Sequence, residues 1–270
     1  GGFFLNPLNE VGTNSIAAKD TLHLPSMVVD IGTPPSLLGF YNQIKQEFVT
    51  ARYLFWEGNL SAGNYKTHFS DKDTQLVNTL DYPMYGLSIE KIKIAFRMAY
   101  SIFDKIAFFI NEYWRLNIPN HKVYFHSVWA DGGGNSVREF FLEYPNLPLR
   151  GLYWLSKEFS YKDNGSDLVL GTVMEPDADN LREVRNHLEH KYLKIHDDMW
   201  AYGKDYEDSL FSDSLAHHLT LTELTEKTLR LLKRSREALI YLTLAVHQEE
   251  RIKNETRTGP AMPMTLPYLE

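Results

Sequence analysis

The chain has 270 residues, enough for one large domain with a substantial apolar core, and 13% of them are aromatic. It contains no cysteine, which excludes disulfides, thiolate metal sites and a cysteine nucleophile. The formal net charge of −7 argues against a protein that coats nucleic acid non-specifically, although it leaves room for a local basic cleft. The longest apolar run, near residues 238–246, is too short to span a bilayer, and no signal peptide opens the chain. We therefore expect a cytoplasmic protein with no membrane partner.

Residues 1–34 show no periodicity and are rich in Asn, Gly, Pro and Ser, so we predict an irregular N-terminal extension. The chain opens on Gly1 rather than Met, which favours a position behind an upstream domain. Pro34 and Pro35 suit the first turn of a helix, and apolar residues then follow at spacings of three and four. Gly58 is predicted to end this first helix.

Residues 59–87 are predicted to form a long connection to the clearest helix in the chain, which starts from a cap at Ser88. The apolar stripe of that helix consists of Ile92, Phe96, Ala99, Phe103, Ile106, Ile110 and Tyr113. A β-like run follows and ends in the loop Gly132–Gly134, which lacks the Lys and Ser/Thr of a phosphate-binding loop. We predict a flexible connection there, and a shorter helix that begins at Pro148.

Two more helices are predicted in the last third of the chain. The first begins near Asp177 and Asp179, since acidic residues favour a helix N-terminus, and its apolar stripe consists of Leu181, Val184, Leu188, Tyr192, Ile195 and Met199. The second begins at the capping box of Thr220 and Glu223 and runs to about Asn254. His217 and His218 precede it and are expected to point apart on a helix.

These elements predict an all-α fold: a bundle of about five main helices with long connections and an irregular N-terminal extension. The expected organisation is an extension over residues 1–34, a helical domain over 35–255 and a C-terminal tail over 256–270.

The stretch "REVRNHLEHKY" at residues 182–192 concentrates the polar groups that could do chemistry. Each residue of a helix advances by about 100°, which places Arg185 at the edge of the apolar stripe and Asn186 and His190 on the opposite face. Arg185 and His190 therefore point about 140° apart. They can meet on one phosphate only if another element closes over the helix, and a second copy of the chain across a two-fold axis would do so.

Arg185, Asn186 and His190 resemble the Arg, polar residue and His signature of the HEPN domains (higher eukaryotes and prokaryotes nucleotide-binding). The helix order over residues 36–254 is also similar, most closely to the large C-terminal HEPN variants of bacterial defence and toxin proteins. The resemblance implies a homodimer and a metal-independent endoribonuclease with RNA as substrate, and it implies an antitoxin or an upstream sensor domain as a partner. A non-catalytic HEPN module that senses nucleotides or binds proteins is the alternative.

The residue types fit this chemistry, because a histidine with a pKa near ~6.5 can take the proton of a ribose 2′-OH or protonate the leaving oxygen. Other matches to the spacing are weaker: Pro119 breaks the helix between Arg115 and His121, and Arg182 with His187 has Glu183 in place of the amide. A solvated helix face would look similar, with Arg185 paired to Glu189 at i+4.

Three further hypotheses concern neighbouring residues. Tyr192 completes the Arg-x4-His-x-Tyr form of HEPN toxins whose tyrosine is modified by a nucleotidyltransferase antitoxin, although its place in the apolar stripe favours a core tyrosine. The cations most suited to RNA-backbone contacts are Lys227, Arg230 and Arg234, on one face of the last helix. No HExxH motif, Glu-x-x-His pair or cysteine accompanies the histidines, so neither a metal nor a cofactor is predicted.

Overall fold

The computed structural model describes residues 5, 20–29, 32–62, 67–77, 79–131, 136–142, 144–159, 178–199, 213–259, 261–262 and 264–267. The helices within these residues are α1 Ser36–Ala62, α2 Leu87–Tyr113, α3 Glu139–Leu142, α4 Leu147–Lys157, α5 Ala178–His190 and α6 Leu221–Thr256. The strands are β1 Ala130–Asp131, β2 Ser136–Val137, β3 Leu193–His196 and β4 His217–Thr220. The predicted helical bundle is confirmed, and the five main helices follow one another in the expected order.

The core of the bundle lies where α1 and α6 pack against α2, and α4 packs on α6. Helix α2 is central because its apolar residues cover more than one side of the helix, and Phe96, Phe103 and Ile106 are all buried. Leu22 and Leu24 belong to an irregular segment before α1 and are also buried in this core. Within the described residues, no helix combines the length and the apolar character needed to cross a membrane.

Gly58 does not end α1, contrary to the prediction, because the helix continues to Ala62. The glycine lies at a close approach of α1 and α2: a Cβ atom at this position would stand 2.8 Å from Cγ1 of Ile92 and 2.9 Å from the carbonyl oxygen of Ser88. The absence of a side chain therefore serves helix packing rather than helix termination.

The start of α2 also differs from the prediction, since Ser88 is not its cap. The helix begins at Leu87 after Gly86, whose φ of 137° is one that residues with a side chain rarely adopt. The Leu87 backbone N–H donates to the carboxylate of Asp71 at 2.9 Å. A residue sixteen positions earlier thus supplies the N-terminal acceptor, and no local sequence pattern reveals such a contact.

The start of α6 is confirmed. The Thr220 hydroxyl accepts from the Glu223 backbone N–H at 3.1 Å, and the Glu223 carboxylate accepts from the Thr220 backbone N–H at 2.8 Å. Helix α4 begins at Leu147, one residue before the predicted Pro148, with the Asn146 side chain as its cap.

The prediction contained no sheet, but the end of the predicted β-like run does form a strand, β1, and the structure has two small sheets. Strands β1 and β2 pair antiparallel, with Ala130 opposite Val137, and the predicted glycine loop between them lies outside the described residues. Strands β3 and β4 pair in parallel, with Leu193 opposite His217 and His196 opposite Thr220. The helical stripe extended through Tyr192, Ile195 and Met199 was therefore wrong, because α5 ends at His190 and the chain turns into β3.

His217 and His218 lie on β4 and not on a helix. Alternate side chains of a strand point to opposite faces, so the two histidines still diverge, as predicted. One ring stacks on His187 of α5 and the other on His196 of β3.

Candidate functional site

Helix α5 is fixed to the bundle by its apolar stripe. Leu181, Val184 and Leu188 are buried in the core. From α2, the Arg97 guanidinium donates to the carbonyl oxygen of Leu188 and lies 3.8 Å from the Glu189 carboxylate. An apolar anchor and a charged one thus hold the helix that carries the predicted motif.

Arg185 is half-buried and faces α2. Its guanidinium carbon lies 5.6 Å from the centre of the Tyr100 ring, within the range of a cation–π contact. Burial raises the pKa of the nearby Asp104 carboxyl, opposed by the Phe125 backbone N–H that donates to it at 3.1 Å and by the positive charge of Arg185. The arginine is therefore oriented by an aromatic ring and drawn to a carboxylate on the neighbouring helix.

Asn186 follows Arg185 on α5 and is half-buried. The Asn186 side-chain oxygen accepts from Nη1 of Arg185 at 3.5 Å, so these two residues are in contact. His190 is the last residue of the helix and its side chain is exposed. Within the described residues no hydrogen bond joins His190 to Arg185 or Asn186, which leaves the imidazole accessible to a substrate or to a second chain.

A family model described as LA2681-like HEPN matches residues 28–249, which is most of the chain. The chain belongs to this HEPN family. Comparisons with curated proteins and with solved structures gave no match. HEPN domains are generally ribonucleases or nucleotide-sensing modules, and they typically dimerise and bind RNA. The resemblance inferred from the motif and the helix order is thus confirmed at the level of the family.

Arg182 and His187, the weaker Arg-to-His match in this HEPN domain, make contacts that differ from those of Arg185. Nδ1 of His187 lies 2.9 Å from the backbone carbonyl oxygen of Glu183, and its ring stacks on His217 at 4.8 Å between centroids. Arg182 is exposed. The His187 ring therefore contacts β4, whereas the His190 side chain is exposed.

Tyr192 lies in the short segment between α5 and β3 and is half-buried, so it is not the core tyrosine of a helical stripe. The Lys194 ammonium lies 5.3 Å from the centre of its ring. The regulatory role of its hydroxyl stays a prediction.

The three predicted RNA-backbone cations of α6 are half-buried in the HEPN domain. Arg234 has strong intramolecular partners, because it lies 2.8 Å from the carboxylates of both Glu158 and Glu237. Its charge is therefore largely compensated within the chain, and the contact of these three residues with RNA stays a prediction.

The sequence analysis missed the residues of α2 that surround the motif. Tyr100 and Asp104 contact or attract Arg185, and Arg97 holds the end of α5. One signal was present: Asp104 is a carboxylate within the apolar run "SIFDKIAFF" of the most regular helix. A buried charge in such a run needs a partner of opposite charge, and the Arg185 guanidinium is close enough to Asp104 to be that partner.

Proposed function

We propose that this HEPN domain is a metal-independent endoribonuclease that cleaves RNA by transesterification at a composite homodimer site. The observation that carries the proposal is the arrangement on α5: Arg185 is held against α2 while His190 is exposed at the end of the same helix. Bacterial defence or a toxin–antitoxin pair is the setting in which we expect the activity.

In this mechanism the 2′-OH of a ribose loses its proton and attacks the adjacent phosphorus, and the 5′-oxygen of the next nucleotide leaves. The products are a 2′,3′-cyclic phosphate and a free 5′-hydroxyl. An exposed imidazole can take the first proton or supply the second at neutral pH, which is the role we assign to His190.

Arg185 would bind a non-bridging phosphate oxygen and stabilise the negative charge that develops there. Among the described residues, the Asn186 side chain is its hydrogen-bond acceptor, which leaves several of its N–H groups for a phosphate. The Tyr100 ring limits the guanidinium to a narrow set of orientations, so less conformational entropy is lost when a phosphate binds.

The divergence of Arg185 and His190 favours a site shared between two copies of the chain. Residues about 140° apart on one helix face different neighbours, and a two-fold axis beside α5 would bring Arg185 of one copy towards His190 of the other. Such a dimer would contain two equivalent sites, each formed by Arg185 of one copy and His190 of the other.

The test is cleavage of single-stranded RNA in the presence of EDTA by the wild type, His190→Ala and Arg185→Ala. We expect the wild type to remain active and each variant to lose at least about 100-fold, the usual contribution of a general acid–base group or a charge-stabilising donor. His121→Ala, which removes an exposed histidine outside the motif, serves as the control and should retain full activity.

The same variants test the composite site. Mixed subunits of His190→Ala and Arg185→Ala should regain activity, because one of the two sites in such a dimer contains both intact residues. Undiminished cleavage by both single variants would contradict the ribonuclease assignment and favour the non-catalytic module.

A further inference from the structure

Three side chains with metal-ligating atoms meet on the side of α5 that faces β4. Glu183 and His187 are four residues apart on the helix, and His217 approaches them from the strand. One ligand atom from each lies within 4.8 Å of the other two. Nδ1 of His217 and Oε1 of Glu183 are 3.7 Å apart, close to the ~3.3 Å that separates two ligands of a tetrahedral zinc ion with bonds of about 2.0–2.1 Å.

His187 is already oriented as a ligand. Its Nδ1 lies 2.9 Å from the backbone carbonyl oxygen of Glu183 and donates to it, so the lone pair lies on Nε2. Metal-binding histidines in proteins almost always donate their second ring nitrogen to a carbonyl or carboxylate in this way, which fixes the tautomer and the ring orientation.

His217 has unused hydrogen-bonding capacity in an enclosed position. Its Nε2 is buried and finds no hydrogen-bond partner among the described residues. The ring instead lies nearly parallel to that of His187, with 24° between the planes. The other ring nitrogen of His217, Nδ1, lies 3.7 Å from the Glu183 carboxylate, so an ion between them would bind Nδ1 and fix the tautomer that carries its proton on Nε2.

We propose that Glu183, His187 and His217 bind one divalent transition-metal ion of the zinc class, with a fourth position open to water. Two imidazoles and one carboxylate suit zinc and its neighbours, whereas magnesium and calcium require mainly oxygen ligands. The site lies outside the residues assigned to RNA cleavage and does not rest on that assignment.

Binding would connect α5 to β4 across the chain segment between them. Glu183, His187 and His190 lie on adjoining turns of the same side of α5, so the ion would fix the part of the helix that ends at the exposed histidine. The ion therefore has a structural role beside the motif and takes no part in the chemistry.

Calorimetric titration of the EDTA-stripped, dialysed chain with Zn²⁺ tests the proposal. We expect one ion per chain, and thermal unfolding should shift upward by roughly 5–10 °C when free zinc is about 100-fold above its dissociation constant. Mg²⁺ at the same concentration should produce no shift. Co²⁺ should give the intense visible absorption of a four-coordinate site.

Glu183→Gln, His187→Gln and His217→Gln should each weaken zinc binding by at least about tenfold, while His121→Ala should bind as the wild type does. Glu183 is exposed, so its variant keeps the test valid if a histidine variant folds poorly. Absence of stoichiometric binding in the wild type, or unchanged binding in Glu183→Gln, would overturn the proposal. RNA cleavage is assayed in EDTA, so either proposal can fail without the other.

Discussion

Tyr100 shows how one side chain outside the motif can control a residue within it. Its ring lies under the Arg185 guanidinium, and its hydroxyl shares a half-buried region with Asp104. A flat aromatic face attracts a guanidinium through its quadrupole and limits how far the cation can swing. If Arg185 binds phosphate, the ring of Tyr100 is therefore a positioning element of the site.

Tyr100→Leu should lower RNA cleavage by roughly 5- to 30-fold, because a cation–π contact of about 1–2 kcal/mol is lost and Arg185 gains freedom. Tyr100→Phe keeps the ring and should retain most of the activity. The measurement is the single-turnover rate of cleavage for each variant, with thermal unfolding as a check on folding. An equal loss in both variants would assign the effect to the hydroxyl instead of the ring.

Helices α1 and α2 form a close contact of the bundle, and its geometry depends on Gly58. The position is buried, and the backbone of one helix lies against the side chain of Ile92 and the carbonyl of Ser88 on the other. Gly39 lies in the same helix, but a Cβ atom there would meet nothing within 4 Å. Adding a methyl group at these two positions should therefore change the free energy of unfolding in opposite directions.

Gly58→Ala should destabilise the protein by about 1–3 kcal/mol, because the added methyl group pushes the two helices apart. Gly39→Ala is the matched control and should stabilise it by about 0.5–1 kcal/mol, since alanine loses less backbone entropy in a helix. Urea unfolding of the two variants and the wild type gives both differences. A destabilised Gly39→Ala variant would contradict the argument.

At the scale of the whole molecule, one buried ion-pair cluster joins three distant segments. The Lys194 ammonium of β3 lies 2.5 Å from the Asp81 carboxylate and 2.8 Å from that of Asp213, and both Lys194 and Asp81 are almost fully buried. The Met84 backbone N–H donates to the Ile195 carbonyl oxygen at 2.6 Å and links the same regions. The cluster thus anchors the small parallel sheet to the segment before α2.

The charges in this cluster make the stability of the folded protein depend on pH. Burial opposes ionisation of Asp81, but the hydrogen bonds from Lys194 and Thr79 outweigh it and lower the pKa of the carboxyl. Burial likewise opposes the charged form of Lys194, but its hydrogen bonds to Asp213 and Asp81 raise the pKa of the ammonium. The Asp81 contribution is therefore present above its unfolded pKa of ~3.9 and is lost as the pH falls through the lower folded value, whereas the Lys194 contribution is lost only in alkaline solution.

Asp81→Asn should lower the free energy of unfolding by about 3 kcal/mol at pH 7, the low end for a broken buried pair, since Asp213 remains. The difference from the wild type should shrink below about pH 4, where Asp81 of the unfolded wild-type chain binds a proton that folding must release. Urea unfolding from pH 3 to pH 8 measures it, and Asp131→Asn, which removes an exposed partner of Arg138, should cost about 0.5 kcal/mol or less. A difference that stays constant down to pH 3 would show that the charge of Asp81 is not responsible.

The sequence by itself determined the helices, the family and the separation of Arg185 from His190. Helical periodicity and capping are local, so the α6 start at Thr220 followed from neighbours a few residues away. The end of α5 was misplaced because Ile195 continues the helical spacing by coincidence while it belongs to a strand.

Only the tertiary structure decided which distant groups meet. The pairing of β3 with β4, the approach of His217 to His187, and the contact of Tyr100 with Arg185 join residues separated by more than twenty positions. Such contacts depend on how apolar surfaces pack, and many pairings of distant residues bury similar apolar area, so spacing along one chain does not select among them. The motif could be found in the sequence, but its surroundings on α2 and β4 could not.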